Sequence, residues 1–228
     1  MAASAGTPSA RPARQVHETS PSARPGTTVP AVASRAPQLT TDRLTLRRWH
    51  DGDRVPFAAM NADAEVMHDL GGTLDRDASD RKLERYDAAF DEYGYGRWVL
   101  EGSIDGADAS FLGYTGVMAN RGDHPLGDHD DLGWRLRRDA WGHGFASEAA
   151  AAALDDAFTR VGLTDVVAYT AADNVRSQAV MRRIGLRRDS SLDFSAHYDG
   201  VGSWHGLVGI ADRSSGFRWA PRRTSIRS

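Results

Sequence analysis

A mixed α/β fold around one sheet follows from three features of this 228-residue sequence. Short alternating apolar runs such as Leu44-Thr-Leu-Arg-Arg-Trp49 recur along the chain and have the two-residue period of strands. Two segments, Leu83 to Tyr93 and Leu154 to Val161, carry apolar residues at spacings of three and four, the period of a helix face. Glycines stand where these segments stop, at Gly94 and Gly162, the residue that best tolerates the left-handed conformation closing a helix.

In chain order, Leu44 to Trp49 reads as the first strand. Asp51 or Asp53 then offers a helix N-cap, with Phe57 and Met60 on one face. A second helix is capped by Ser79 and runs through Leu83, Tyr86, Phe90 and Tyr93 to Gly94. Trp98 to Ile104 and Phe111 to Met118 read as strands around a turn at Asp105-Gly106, and Leu132 to Leu136 as the next strand. Trp141-Gly-His-Gly-Phe-Ala-Ser-Glu148 opens an alanine-rich helix that Gly162 stops. Asp165 to Thr170 is a buried strand, and Asn174 starts a helix ending at Ile184-Gly185. Two late strands surround Leu192–Phe194 and Trp204–Ile210.

Composition narrows the function. Hydrophobic residues at 40% and charged residues at 26% are those of a globular domain. A net charge of −3 argues against a nucleic-acid partner. With no cysteine, disulfides, thiolate metal sites and a cysteine nucleophile are excluded. No apolar run reaches the roughly 20 residues needed to span a bilayer, so no membrane partner is expected. The opening residues lack the apolar stretch of a secretory signal, and a cytoplasmic location is expected. Residues 1–38, rich in Ala, Ser, Pro, Thr and Arg, read as a disordered tail. Residues 39–213 form the expected domain, and 214–228 a flexible basic tail. Lys82 is the only lysine, which we read as base-composition bias.

The chemistry centres on Asp131-Leu-Gly-Trp134 and the following Trp141 to Ala149. A strand feeds a glycine turn that opens a helix. First-turn N–H groups lack intrahelical partners and carry the positive end of the helix dipole, and glycine lets a ligand approach the backbone. Together these make an anion site suited to a pyrophosphate; in isolation the stretch reads equally well as a plain turn. A dinucleotide-binding fingerprint is a poor fit, because Gly142-His-Gly-Phe-Ala-Ser147 ends in serine and starts well after the strand. A Walker A loop fails for want of its Gly-Lys pair.

The stretch Ala168 to Leu186, with Asn174, Ser177 and Gly185-Leu186, resolves the choice. With the segments above, and with Gly94-Tyr-Gly-Arg-Trp-Val99, Phe111-Leu-Gly-Tyr-Thr-Gly-Val117 and Leu39-Thr-Thr-Asp-Arg-Leu-Thr-Leu-Arg47, it resembles the GNAT acetyltransferase superfamily. The resemblance is nearest to the branch holding the ribosomal-protein N-terminal acetyltransferases and covers about residues 39–210. It implies a single mixed, mostly antiparallel sheet flanked by helices, the GNAT acyltransferase fold. It also implies an N-acetyltransferase that moves an acetyl group from acetyl-coenzyme A, without a metal, to a primary amine on a protein N-terminus or small molecule. A non-catalytic coenzyme A-binding module is the alternative, and a homodimer is left open.

Carried over residue by residue, the amides of Gly142, His143, Gly144, Phe145 and Ala146 would hold the pyrophosphate. The backbone of Leu136 and Arg137 would run beside the pantetheine arm, and Asn174 and Ser177 would contact the coenzyme, Asn174 reading equally as an N-cap. Arg137, Arg138, Arg176 and Arg182 are ribose-phosphate candidates whose plain reading is solvated surface. Trp141 reads as core filling. Asp131 is the candidate water-mediated base, read otherwise as a loop cap, with His124 and His129 as alternatives that offer no metal site. Met181 stands where many family members carry the tyrosine that protonates the leaving thiolate.

Overall fold

The computed structural model describes residues 38–68, 72–198 and 202–215. The expected tails over 1–38 and 214–228 therefore fall almost wholly outside the described residues. Strands β1 (Leu39–Thr40) and β2 (Leu44–Arg47) lead through a 3-10 turn, Asp51–Asp53, to α1 (Arg54–Ala62) and α2 (Arg76–Tyr93). A meander follows: β3 (Arg97–Gly102), β4 (Ser110–Asn120) and β5 (His129–Leu136). Helix α3 (Phe145–Asp156) crosses to β6 (Asp165–Ala171), α4 (Val175–Arg183) leads to β7 (Arg187–Arg188), and β8 (Phe194–Tyr198) and β9 (Gly202–Asp212) finish the fold.

One sheet takes them all, in the order β1-β2-β3-β4-β5-β6-β9-β7, with β8 on β9. Every described pair is antiparallel except β5 with β6. The mixed, mostly antiparallel sheet flanked by helices is therefore the observed fold. The parallel pair is joined through α3, as a parallel connection requires, and its one registered pair is Asp131 with Val167.

Several local expectations shift. Asp75, not Ser79, caps α2, its side chain accepting Ala78 N–H at 2.7 Å. Ser79 is buried inside the helix, and its Oγ accepts from Asn61 Nδ2 at 3.2 Å. Asp53 precedes α1, but its carboxylate is drawn to Arg47, with both contacts at 2.8 Å, instead of capping the helix. Ser190–Leu192 is a 3-10 turn, so the late strand begins at Phe194. Gly94 (φ 78°) and Gly162 (φ 84°) end their segments in the left-handed region as expected, the second after a π-helical turn over Ala157–Val161.

The core is aromatic under α1 and α2 and small under α3. Trp49, Phe57, Tyr86, Phe111 and Tyr114 pack ring against ring, with Trp49 and Phe57 centroids 4.8 Å apart. Ala149, Ala150, Ala153 and Leu154 of α3 are buried against the sheet. Small side chains bring that helix close to the backbone of β4 and β5, and this fixes where its N-terminus lies.

Candidate active site

Beyond Asp131 no further residue of β5 is registered with β6, and the opening this leaves is the candidate site. In the β4–β5 ladder Arg137 N–H donates to Leu112 O at 2.9 Å, with Gly113 opposite Leu136. Antiparallel main-chain groups alternate in direction, so Leu136 and Trp134 turn theirs toward β6, which pairs no further than Val167. Leu136 O is taken by the Trp141 indole N–H at 3.0 Å. The Leu136 N–H is thereby set on the open edge, while the backbone of Arg137 is used internally, its carbonyl accepting Ala140 N–H at 3.1 Å. Trp141 is thus a strut across the turn, half-buried, with Arg176 of α4 4.5 Å above its ring and Arg138 5.5 Å from it.

The turn that opens α3 has Gly142 (φ 84°) and Gly144 (φ 81°) in the left-handed region. A Cβ on Gly142 would meet nothing within 4 Å, and one on Gly144 only Arg43 Nη2 at 3.5 Å. These glycines are required by conformation and by the space outside the chain, not by crowding within it. Gly144 O accepts both Ser147 N–H and Glu148 N–H at 3.1 Å, so Phe145 and Ala146 present first-turn N–H groups without intrahelical partners.

A clamp from the first strands orients this turn. Arg43 Nη1 donates to His143 O at 2.9 Å, and in a trans peptide the following Gly144 N–H points the opposite way. The same guanidinium donates to Glu148 at 2.7 Å and lies 4.7 Å over the Phe145 ring. Thr41 Oγ1, at 2.6 Å, and Arg43 N–H, at 3.1 Å, complete the contacts to Glu148. His143 Nδ1 lies 2.9 Å from Trp141 O, and its ring stacks on Phe145. On α4, Asn174 Oδ1 caps the helix by accepting Ser177 N–H at 2.9 Å. Both residues sit at the helix end that follows β6. Met181 is buried, its methyl against Gly209.

Asp131 marks the point of separation. Its Oδ2 accepts from Arg97 Nη2, and Arg97 Nη1 donates to Asp131 O at 3.0 Å and also to Gly116 O. Arg97 is buried; burial pulls its pKa down, but the charges of Asp131 and the nearby tyrosines raise it above its usual value. Gly133 leaves room for this guanidinium: a Cβ there would lie 2.8 Å from Arg97 Nη2. His124 and His129 meet with ring centroids 4.6 Å apart, and both Nε2 atoms are buried without a partner. Burial, and then His129, pull His124 below its usual pKa. Among the described residues no group of three or more side chains could hold a metal.

Beneath α1 and α2 lies a second set that the sequence did not single out. Arg135 is buried, its Nη1 donating to Asn61 Oδ1 at 3.1 Å and to Met67 Sδ at 2.8 Å. Tyr114 lies 5.6 Å from the same guanidinium and accepts from Tyr86 Oη at 3.3 Å. Burial raises the Tyr114 phenol, but Arg135, Lys82, the Tyr86 hydrogen bond and Arg97 outweigh it and pull the pKa to about 8. Lys82 is itself lowered, by burial first.

A mixed sheet whose parallel strands part beside a glycine turn and a helix N-terminus offers a candidate site for an anionic cofactor. Residues 43–187 match the acetyltransferase (GNAT) domain model, and the chain belongs to the GNAT acetyltransferase family. Similar proteins include YkkB of Bacillus subtilis (strain 168), 26% identical over 179 residues, which are 78% of this chain and 96% of that one. The acetyltransferase from Agrobacterium tumefaciens str. C58 is 27% identical with a TM-score of 0.64, over 78% of this chain and 95% of that one. RimJ of Mycobacterium smegmatis, solved in complex with CoA-disulfide, shares the fold at 19% identity and a TM-score of 0.60, over 77% of this chain and 84% of that one. The family uses acetyl-coenzyme A. No described helix is long and apolar enough to cross a membrane.

Proposed function

We propose that this enzyme transfers an acetyl group from acetyl-coenzyme A directly to a primary amine, in a ternary complex formed where β5 and β6 part. The observation that carries the reading is the turn at Gly142–Gly144, left-handed at both glycines and held by Arg43, at the start of α3. The N–H groups from Gly142 to Ala146 hold the pyrophosphate. The open edge of β5 pairs with the pantetheine arm through Trp134 and Leu136, and Arg137 contributes through its side chain. Asn174 and Ser177, at the start of α4, flank the arm from the other side. Arg138 and Arg176, stacked on Trp141, are the ribose-phosphate candidates nearest the turn.

The amine attacks the thioester carbonyl, and a backbone N–H on the open edge of β5, the strand that contains Leu136, stabilises the oxyanion. An α-amine of pKa about 7.7–8.0 is roughly a tenth to a fifth neutral at pH 7, whereas a lysine needs about 3.5 kcal/mol more to lose its proton. Asp131 takes the proton through water, using the oxygen that does not face Arg97. The coenzyme leaves as a thiol of pKa about 8.5, a leaving group good enough to go without a tyrosine at the Met181 position. The acceptor is a protein N-terminus, as in the ribosomal-protein branch, or a small-molecule amine, and the reaction belongs in the cytoplasm.

Because the chain has no cysteine, a thiol reagent in the assay reads only released coenzyme A. Release that depends on an added amine, with the acetylated amine identified by mass spectrometry, is expected. Absence of release across α-amines, polyamines and lysine peptides would sink the reading.

A further inference from the structure

Arg135 is a buried charge without an ionic partner among the described residues. Its residue is only 7% exposed. Its partners are a neutral amide oxygen and a thioether sulfur, and its Nε is buried with no partner. Among the described residues no carboxylate pairs with it. Arg97, two strands away on β3 and equally buried, shows the contrast: it has Asp131. A guanidinium carries five N–H donors and keeps its charge at any physiological pH. Burying one against neutral groups is costly, and an apolar side chain of similar volume would be the more stable choice.

The surroundings add positive charge. Lys82 of α2 lies 5.9 Å from the Tyr86 ring, and Arg85 5.5 Å from the same ring. The one lysine of the chain thus lies against one ring of the Tyr86–Tyr114 pair whose other ring lies against Arg135, the one buried arginine without an acid among the described residues. Tyr114 brings a phenol and no carboxylate to the cluster, and although burial raises its pKa, the cations around it pull it down. The arrangement lies on the open part of β5: Arg135 stands between Trp134 and Leu136, beyond the last residue paired to β6. The end of α1 and the segment after it cover it, through Asn61 and Met67 respectively.

We propose that the acceptor carries a carboxylate close to its reactive amine, and that Arg135, assisted by Lys82, receives it. This rests on the transferase reading above and names its substrate class. Arg135 forms the bidentate contact that suits a planar carboxylate. Lys82 supplies a second, point-like charge. The carboxylate completes the charge balance of the cluster and anchors the amine beside the open edge of β5.

Two amine pairs test this on the full-length protein: alanine against alaninamide, and Glu-Ala-Ala-amide against Gln-Ala-Ala-amide. Preference in the first pair identifies a free amino acid, and in the second an acidic peptide N-terminus. In at least one pair the acid should win in kcat/KM by roughly 10-fold or more, the worth of a charged hydrogen bond. Arg135→Met should erase that preference while raising or preserving Tm, since it removes an unbalanced buried charge. If that variant misfolds, Lys82→Met serves in its place and should cut the preference several-fold. Equal rates within both pairs would overturn the proposal and leave the transferase reading standing. If no amine is acetylated, calorimetry on the coenzyme A-loaded protein decides with the matching products: N-acetylalanine against N-acetylalaninamide, and N-acetyl-Glu-Ala-Ala-amide against N-acetyl-Gln-Ala-Ala-amide. In at least one pair the acid should bind at least 10-fold tighter, and equal or absent binding in both pairs refutes the site.

Discussion

Arg97 holds Asp131 at the residue where the sheet divides. One guanidinium nitrogen reaches the Asp131 carboxylate, and another reaches Asp131 O at 3.0 Å, while Asp131 itself is registered with Val167 across the parallel pair. The arginine comes from β3 and crosses beneath β4 by way of Gly116 O. It therefore ties three strands together just before β5 and β6 part. A buried charge so placed fixes the start of the open stretch of β5, which continues through Gly133, Trp134, Arg135 and Leu136.

Gly133→Ala tests the passage of that arginine. The added methyl would sit 2.8–2.9 Å from three atoms of the Arg97 guanidinium, and overpacking of this kind costs about 1–3 kcal/mol. The urea midpoint should fall accordingly. In an Arg97→Met background the same substitution should cost less, because the two residues are in contact and their effects do not add. Equal costs in both backgrounds would show that the glycine serves some other end.

Gly144→Val should abolish measurable acetyl-coenzyme A binding. The native φ of 81° is one that a β-branched residue adopts only under strain, and its branches would occupy the approach to the turn. Gly144→Ala, with a smaller side chain, should weaken binding less. Titration calorimetry is the measurement, with circular dichroism as the control for the fold. A valine variant that binds normally would remove the turn from the cofactor site.

The Arg43–Glu148 clamp should act on cofactor affinity through the turn it orients. Glu148→Gln keeps the shape but loses the charge that two Arg43 nitrogens share. Charged hydrogen bonds are worth about 1.5–3 kcal/mol, so KM for acetyl-coenzyme A should rise roughly 10-fold or more with a smaller change in kcat. A fall in kcat with KM unchanged would contradict a positioning role.

These features differ in how far the sequence announces them. The Gly142–Gly144 turn, the Asn174 cap and the stops at Gly94 and Gly162 depend on residues near one another in the chain, so a local pattern suffices to find them. Ser79 misled because a serine near a helix start has the same chemistry whether it caps the helix or lies inside it. Burial against Asn61, 18 residues away, decides, and no local pattern carries that. The ion pairs of Arg97 with Asp131 and Arg43 with Glu148 span 34 and 105 residues, and the contact of Arg135 with Asn61 spans 74. Only the strand order brings them together. Lys82 did carry a signal, as the single lysine in an arginine-rich chain, but composition alone gave it no role.

Tyr114 should titrate apart from the other tyrosines. Its folded pKa, about 8, lies below the unfolded value near 10. The sign follows: ionised Tyr114 adds stability that is complete above pH 10 and is lost as pH falls through 8. Ultraviolet difference absorbance of phenolate should show one group ionising near pH 8, absent in Tyr114→Phe. In Arg135→Met that step should move upward, since the guanidinium is the first of the charges that lower it. A titration in which every tyrosine ionises above pH 10 would contradict the cationic surroundings of Tyr114.

Asp131→Asn separates the base from the strut. As a strut, the loss of charge leaves Arg97 buried and unpaired, which costs about 3 kcal/mol or more. For a domain of this size Tm should fall by roughly 6–12 °C. As a base, the same change should lower kcat/KM by roughly 100-fold, measured well below the reduced Tm so that the enzyme remains folded. The two effects differ in their pH dependence. A missing base matters less as the amine loses its own proton, so the kinetic deficit should shrink between pH 7 and 9.5, whereas a displaced strand gives a deficit that stays level. Arg97→Met provides the complementary case: it removes the strut and spares the carboxylate. If Asp131 is the base, Arg97→Met should lose stability as Asp131→Asn does, yet show no deficit that shrinks with rising pH. Parallel pH profiles in the two variants would mean that Asp131 serves the reaction only by holding β5 in place.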